Sequence, residues 1–177
     1  MSDHDEMARA FDFEIGSWHV SHRRLRERLA GCQEWDSFTG TADMRPVLGG
    51  NGNIEDNFLN LPQGAYRAIA IRSYDPRRGL WAIWWLSTAD PLSIETPVMG
   101  RFEGEVGTFY ADDCFKGRPV KTRFLWLDTH TASPRWEQAM SADGGESWET
   151  NWTMDFKRAE AGAGAGEFVV ASGTGAA

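Results

Sequence analysis

On the predicted strands, a few polar residues are an even number of positions away from aromatic residues. His22 and Arg24 share a phase with Trp18 near the start of the chain, and Gln138 shares one with Trp136 near its end. Residues two apart on a strand line the same face. Aromatic walls with a few convergent polar groups are what a small-molecule pocket requires, and an arginine pairs well with a carboxylate or phosphate. The pattern predicts a cavity for a small apolar or aromatic ligand with an acidic group.

The residues predicted to bind this ligand come from several strands. They are His22, Arg24, Trp126, Trp136, Gln138 and Trp152. A structural role is the alternative for each of them, because interior polar residues of a barrel usually pair with one another and tryptophans usually fill the core. On the sequence alone both interpretations stay open.

The histidines argue against a cofactor. His19 and His22 are three residues apart, which on a strand places their side chains on opposite faces and excludes a zinc pair. Ten-stranded barrels of the nitrobindin type hold haem through a histidine near the C-terminal strands. The remaining histidines here are His4 and His130, and neither lies on the last two predicted strands. We therefore expect no metal and no cofactor.

Catalytic groups are equally sparse. Cys32 and Cys114 have no histidine nearby in the sequence. The polar residues in the phase opposite to the aromatic wall are expected to face solvent or cross-strand partners; they are Glu137, Glu149, Asn151 and Asp155. An enzyme that uses the same cavity, such as an isomerase, cyclase or lyase, is the first alternative function. A structural or oligomerising module without a ligand is the second. A homodimer is a possible partner arrangement.

The composition narrows the partners and the compartment. The chain has 18 basic and 26 acidic residues and a net charge of −8, which repels phosphate backbones and anionic membranes. We therefore expect no nucleic-acid and no membrane partner. The N-terminal MSDHDEMARA lacks the apolar stretch of a secretory signal. Together with only two cysteines, this favours a cytoplasmic protein with free thiols.

The positioning elements are strands throughout. After a short helical stretch at 4–13, period-two alternation predicts ten strands at 15–26, 34–47, 53–60, 65–74, 80–88, 98–103, 106–112, 120–127, 136–142 and 147–158. Short connections favour an antiparallel meander, and closure into a barrel removes its two open edges; a two-sheet sandwich is the alternative. We predict an all-β, ten-stranded up-and-down barrel over residues 1–158, plugged by the helix, and a flexible Gly/Ala-rich tail over 159–177.

A structural motif spans the two ends of this barrel. Gly16 and Trp18 form a Gly-x-Trp that follows the short helix and enters the first strand, and Arg158 ends the last strand. An arginine plane over an indole gains a cation–π interaction. The combination resembles the lipocalin or calycin signature, in which the tryptophan closes one end of the barrel. That resemblance implies that Arg158 packs over Trp18.

Longer stretches are similar to one bacterial family of uncharacterised lipocalin-like proteins. They are FDFEIGSWHVSHRRLRERLAGCQEWDSFTGTA, RPVLGGNGNIEDN, YDPRRGLWAIWWL, VMGRFEGEVGTFYADD and SPRWEQAMSADGGESWETNWTMDFKR, and they extend over nearly all of Phe11 to Arg158. The resemblance implies a calycin-type β-barrel and no particular activity.

The turn before the last predicted strand carries a second motif. Residues 141–148, SADGGESW, fit the pattern S-x-D-x-G-x-[ST]-W, which resembles the Asp-box of sialidases and other β-propellers. A propeller needs at least four blades of roughly 40 to 50 residues, which 177 residues cannot supply with a single copy of the motif. Asp143 can accept local N–H groups and Gly145 tolerates a positive φ. We therefore predict a structural role for both residues in a hairpin turn.

Overall fold

The computed structural model of the chain describes residues 3–160. A helix, α1 (Asp3–Ala8), and a 3-10 turn (Asp12–Glu14) precede the strands. The strands are β1 (Gly16–Leu25), β2 (Trp35–Val47), β3 (Gly52–Leu61), β4 (Gly64–Asp75), β5 (Leu80–Ser87), β6 (Val98–Glu103), β7 (Val106–Phe115), β8 (Arg118–Leu127), β9 (Arg135–Ser141) and β10 (Glu149–Arg158). The predicted tail lies outside the described residues from position 161 onward.

The ten strands form one closed antiparallel barrel in which each strand pairs with its neighbours in the sequence. Pairing of β1 with β10 closes it, with Trp18 opposite Arg158 and Arg24 opposite Trp152. The all-β, ten-stranded up-and-down barrel with a short N-terminal helix is therefore confirmed, and the sandwich alternative is wrong. Within residues 3–160, no helix has the length and apolar character needed to cross a bilayer.

One end of the barrel, the closed end, is filled by an aromatic core. Phe11, just before the 3-10 turn, packs between Trp81 and Phe102, with ring centroids 5.0 and 4.9 Å away. Trp126 lies 6.1 Å from Phe11, and Phe109 is fully buried beside them. Residues that follow α1, rather than the helix itself, therefore carry the buried aromatic plug.

Arg158 holds this plug in place. Its guanidinium carbon lies 3.9 Å from the centre of the Trp18 ring, and its two terminal nitrogens donate to the carbonyls of Phe13 at 2.7 Å and Ile15 at 2.5 Å. Trp18 Nε1 donates to the Glu14 carbonyl at 2.7 Å. Gly16 has φ 120°, and a Cβ there would lie 2.6 Å from Arg158 Nη1, so this position requires glycine.

A buried ion cluster lies beneath the plug. Arg72 Nη2 lies 2.5 Å from Glu55 Oε2 and 3.5 Å from Glu14 Oε2, and all three residues are almost fully buried. Burial raises the pKa of Glu14 well above its ordinary value; Arg72 opposes that rise and Glu55 adds to it. Because a protonated Glu14 leaves one cation facing one carboxylate, the cluster is internally compensated.

Candidate functional site

The opposite end of the barrel, the open end, contains a cavity of about 550 Å³. This volume falls within the range that holds small molecules. Its walls are apolar and mostly aromatic, whereas its rim is polar and charged. The wall residues include Trp85, Phe124, Trp136, Met140, Trp152 and Met154, and the rim residues include Arg24, Arg28, Tyr66, Glu95, Asp113 and Cys114.

Trp152 is the centre of the aromatic wall. Its ring packs edge-on against Trp85 at 5.9 Å and Trp136 at 5.6 Å, and Phe124 packs against Trp136 at 4.8 Å. Its indole Nε1 donates to Nδ1 of His22 at 3.3 Å. Since both the ring and its N–H are fixed by neighbours, the wall is formed before any ligand arrives.

His22 supports this wall from behind and does not line the cavity. Its imidazole stacks on Phe38 with a centroid distance of 4.6 Å and an interplanar angle of 8°. Burial, with a smaller contribution from the charge of Arg24, lowers the pKa of His22 to about 4. The imidazole is therefore neutral near pH 7, which agrees with Nδ1 accepting the Trp152 hydrogen bond.

Two arginines share the rim. The guanidinium carbon of Arg24 lies 4.8 Å from the centre of the Trp152 ring. Burial and then the nearby charge of Arg24 lower the pKa of Arg28 to about 10, while Glu95, Tyr66 and Glu149 oppose this fall from a distance. In residues 3–160, none of the ion pairs closer than 4.0 Å involves Arg24 or Arg28. The open end thus holds two neighbouring positive charges without a contacting carboxylate.

Two carboxylates lie on the rim, and in the described residues neither forms an ion pair closer than 4.0 Å with Arg24 or Arg28. Asp113 accepts from the Thr122 hydroxyl at 3.3 Å and from the Cys114 backbone N–H at 2.7 Å. Glu95 is exposed. Partial burial raises the pKa of Glu95, Arg28 lowers it and Asp113 raises it further. Over the described part of the chain, no group of three or more His, Cys, Asp or Glu side chains is placed to hold a metal ion.

Hydrogen bonds from neighbouring loops hold the rim in position. The N–H of Leu29 donates to Glu149 Oε1 at 2.6 Å, which ties the connection between β1 and β2, and with it Arg28, to the start of β10. The N–H of Glu95 donates to the Trp85 carbonyl at 3.0 Å, which ties the connection between β5 and β6 to the cavity wall. The backbone segments that carry Arg28 and Glu95 are therefore fixed by hydrogen bonds from their own N–H groups.

A β-bulge places an amide pair near the cavity. Asn151 is the extra residue between Thr150 and Trp152, where the register between β9 and β10 shifts. Its side chain is buried and accepts a hydrogen bond from Gln138 Nε2 at 2.7 Å. Of the two predicted surroundings for Asn151, solvent or a cross-strand partner, the structure shows the partner. The side chain is nevertheless buried, because a bulge breaks the strict alternation of the strand.

The structure brings four of the six predicted ligand-binding residues to the cavity. They are Arg24, Trp136, Gln138 and Trp152. Trp126 does not reach it: near the far end of β8, it packs 5.3 Å from Phe156 in the closed-end core. Period two assigns a residue to a face of the sheet, but not to a depth along the barrel, which explains the difference.

Sequence periodicity missed several rim residues because they lie in loops or at strand ends. Arg28 and Glu95 belong to connections, where alternation carries no information. The basic run HRRLRER at 22–28 was the one signal for Arg28. Tyr66 is the third residue of β4 and lies half-buried near Arg24.

The Asp143 turn lies outside this cavity and has the features of a hairpin turn. Asp143 accepts from the Ser147 N–H at 3.0 and 3.1 Å and from the Ser141 hydroxyl at 2.6 Å. These hydrogen bonds lower the pKa of Asp143. Gly144 and Gly145 have φ values of 79° and 103°. Because its N–H is bound by Asp143, Ser147 does not join the ladder, and β10 starts at Glu149 rather than at 147.

Comparisons with known proteins do not assign the chain to a family. No family model matches it, and no curated protein matches it significantly.

Proposed function

We propose that this protein binds a small apolar or aromatic molecule that carries an acidic group. The observation that carries the proposal is the arginine pair on the cavity rim, Arg24 and Arg28, which has no carboxylate within 4.0 Å in the described chain. Placing like charges together in a partly buried site is unfavourable unless an anion compensates them. A ligand carboxylate or phosphate between the two guanidinium groups supplies that compensation.

Tyr66 complements this anion site. Its hydroxyl has a raised pKa, because burial outweighs the opposing effect of Arg24. It is therefore a neutral donor near pH 7, able to donate to the same acidic group. The rim then offers two guanidinium groups and one hydroxyl to a single anion.

The apolar part of the ligand occupies the cavity itself. Trp85 and Trp152 present aromatic surface, and Met140 and Met154 adapt to ligands of different shape. The existence of this cavity supports a binding protein over a ligand-free module, which requires a filled barrel. Barrel closure and the contact of Arg158 with Trp18 also support membership in the lipocalin-like family that the sequence resembles.

Calorimetric titration with matched ligands tests the proposal. Dodecanoic acid and dodecanol share an apolar chain and differ in the acidic group. We expect the acid to bind at least roughly tenfold more tightly, since charge-assisted hydrogen bonds contribute more than neutral ones. Arg24→Gln should remove that preference.

Arg101→Gln is the matched control. Arg101 is exposed and pairs with Glu103 on β6, away from the cavity, so this variant should keep the preference of the wild type. Equal affinities for the acid and the alcohol, or no binding of either, would contradict the proposal.

A further inference from the structure

A second concave surface adjoins the cavity at the rim. This outer groove has a volume of about 300 Å³ and lies between the β1–β2 connection, the β3–β4 turn and the β7–β8 turn. Arg24, Arg28 and Phe115 line both the groove and the cavity. The arginine pair therefore stands between two volumes rather than at the end of one.

The outer groove is positively charged in an acidic protein. Four cations line it, Arg24, Arg26, Arg28 and Lys116, against the two carboxylates Glu27 and Asp36, whereas the whole chain has a net charge of −8.

Two of the groove residues already neutralise each other. Asp36 accepts from Arg26 at 2.8 Å and from Gln63 Nε2 at 2.9 Å. Lys116, in contrast, has no ion pair within the described chain, and its Nζ lies 5.5 Å above the Phe115 ring. Around this junction, Arg24, Arg28 and Lys116 are thus the cations without a carboxylate within 4.0 Å among the described residues.

The position of the anion site limits the chemistry of a ligand that fills both volumes. Its acidic group must lie in the middle of the molecule, with one arm in the cavity and the other in the groove. A carboxyl group that joins the two arms in line, as an ester or amide, loses its charge, so a carboxylate at this point would have to be a side branch. A phosphodiester joins both arms in line and keeps one negative charge. We infer that the ligand of this site is a phosphodiester with an apolar arm in the cavity and a hydroxylated arm in the outer groove.

The cavity and the outer groove differ in polarity, as an apolar arm and a hydroxylated arm require. The cavity has apolar walls, whereas the groove adds Gln63 and the carboxylate of Glu27 to an apolar floor of Phe38 and Leu61. The Nε2 of Gln63 is committed to Asp36, which orients the amide and leaves its carbonyl oxygen to accept a hydroxyl. A glycerol-like alcohol suits this surface. The inference rests on the proposed function and specifies the ligand class of the same site.

Three probes with one apolar chain test the inference by calorimetry: dodecanoic acid, dodecyl phosphate and dodecyl phosphoglycerol, each below its micelle concentration. Only the last is a phosphodiester that reaches into the groove. We expect dodecyl phosphoglycerol to bind roughly tenfold more tightly than dodecanoic acid, the gain of one further charge-assisted contact. Dodecyl phosphate carries more charge than the diester at pH 7, so these two are compared at pH 5, where each carries about one negative charge. There dodecyl phosphate should bind less tightly than the diester because it lacks the outer arm.

Variants separate the groove from the cavity. Lys116→Ala should abolish the advantage of the diester and leave the affinity for dodecanoic acid unchanged; because Lys116 is exposed, folding is preserved. Lys157→Ala, an equally exposed lysine on β10 outside the groove, is the control.

The outcomes distinguish the two proposals. If the acid binds as tightly as the diester, or if Lys116→Ala leaves the advantage of the diester intact, the phosphodiester inference is overturned while the cavity function stands. If none of the three probes binds, the cavity function fails and the inference fails with it.

Discussion

The two ends of the barrel treat buried arginine differently. At the closed end, Arg72 is almost fully buried and contacts Glu55 at 2.5 Å and Glu14 at 3.5 Å. At the open end, Arg24 and Arg28 are partly buried, lie near each other and have no carboxylate within 4.0 Å in residues 3–160. The first arrangement pairs its charges by direct contact, whereas the second does not, and the proposed function assigns its compensation to an acidic ligand.

This difference predicts that the arginines at the two ends contribute differently to stability. Removing one partner from a buried ion pair is strongly destabilising, because the other charge is left unpaired. Removing a charge from a like-charged pair relieves repulsion instead. The same substitution should therefore have opposite effects at the two ends.

The largest expected effect follows from Arg72→Met. The substitution leaves Glu14 and Glu55 buried without a cation, and we expect the free energy of unfolding to fall by about 3 to 5 kcal/mol. Urea unfolding at pH 7 measures it. Arg67→Met is the matched control on the same strand, since Arg67 forms only an exposed pair with Asp56, worth about 1 kcal/mol or less. Equal losses in both variants would contradict a structural role for the cluster.

A smaller effect on stability is expected when His22 becomes protonated, which adds a third positive charge at the open end. The pKa of His22 is about 4 in the folded protein against an ordinary value of 6.5. A depressed histidine pKa means that the unfolded chain binds the proton first, so stability present above pH 6.5 is lost as the pH falls toward 4. The loss reaches at most about 3 kcal/mol.

His22→Gln isolates this contribution in urea unfolding across the same pH range. The variant should lack the part of the pH dependence that belongs to His22, while His19→Gln, an exposed neighbour on β1, should behave as the wild type. The free energy of unfolding is compared with pH between 6.5 and 4. If its slope is the same in the His22 and His19 variants, the open end accepts a further positive charge without cost, which contradicts the stated difference between the two ends.

The smallest effect, and the one of opposite sign, is expected from Arg28→Met. Methionine keeps most of the apolar stem of Arg28 and removes its positive charge, which is repelled by the charge of Arg24. We expect the free energy of unfolding without ligand to stay within about 1 kcal/mol of the wild type or to rise. A loss as large as that of Arg72→Met in the same urea experiment would mean that Arg28 is already compensated inside the protein.

The sequence predicts the barrel well and the charge distribution poorly. Alternation and short connections were enough for ten strands and their closure, because both depend on local pattern. The Arg72 cluster depends on the pairing of β3 with β4 and on the seating of Glu14, which are non-local. Arg28 and Glu95 lie in connections without periodicity, and the bulge at Asn151 inverts the phase locally.

The most direct test measures the stability of the wild type and Arg28→Met by urea unfolding, with and without dodecanoic acid. Without the acid, the variant should be as stable as the wild type or more stable. With acid at 100 times its dissociation constant for the wild type, the wild type should gain about 2.7 kcal/mol and become the more stable protein, since only its arginine pair is complete. If the acid stabilises both proteins equally, or neither, the claim that the open end reserves its charge for an acidic ligand is contradicted.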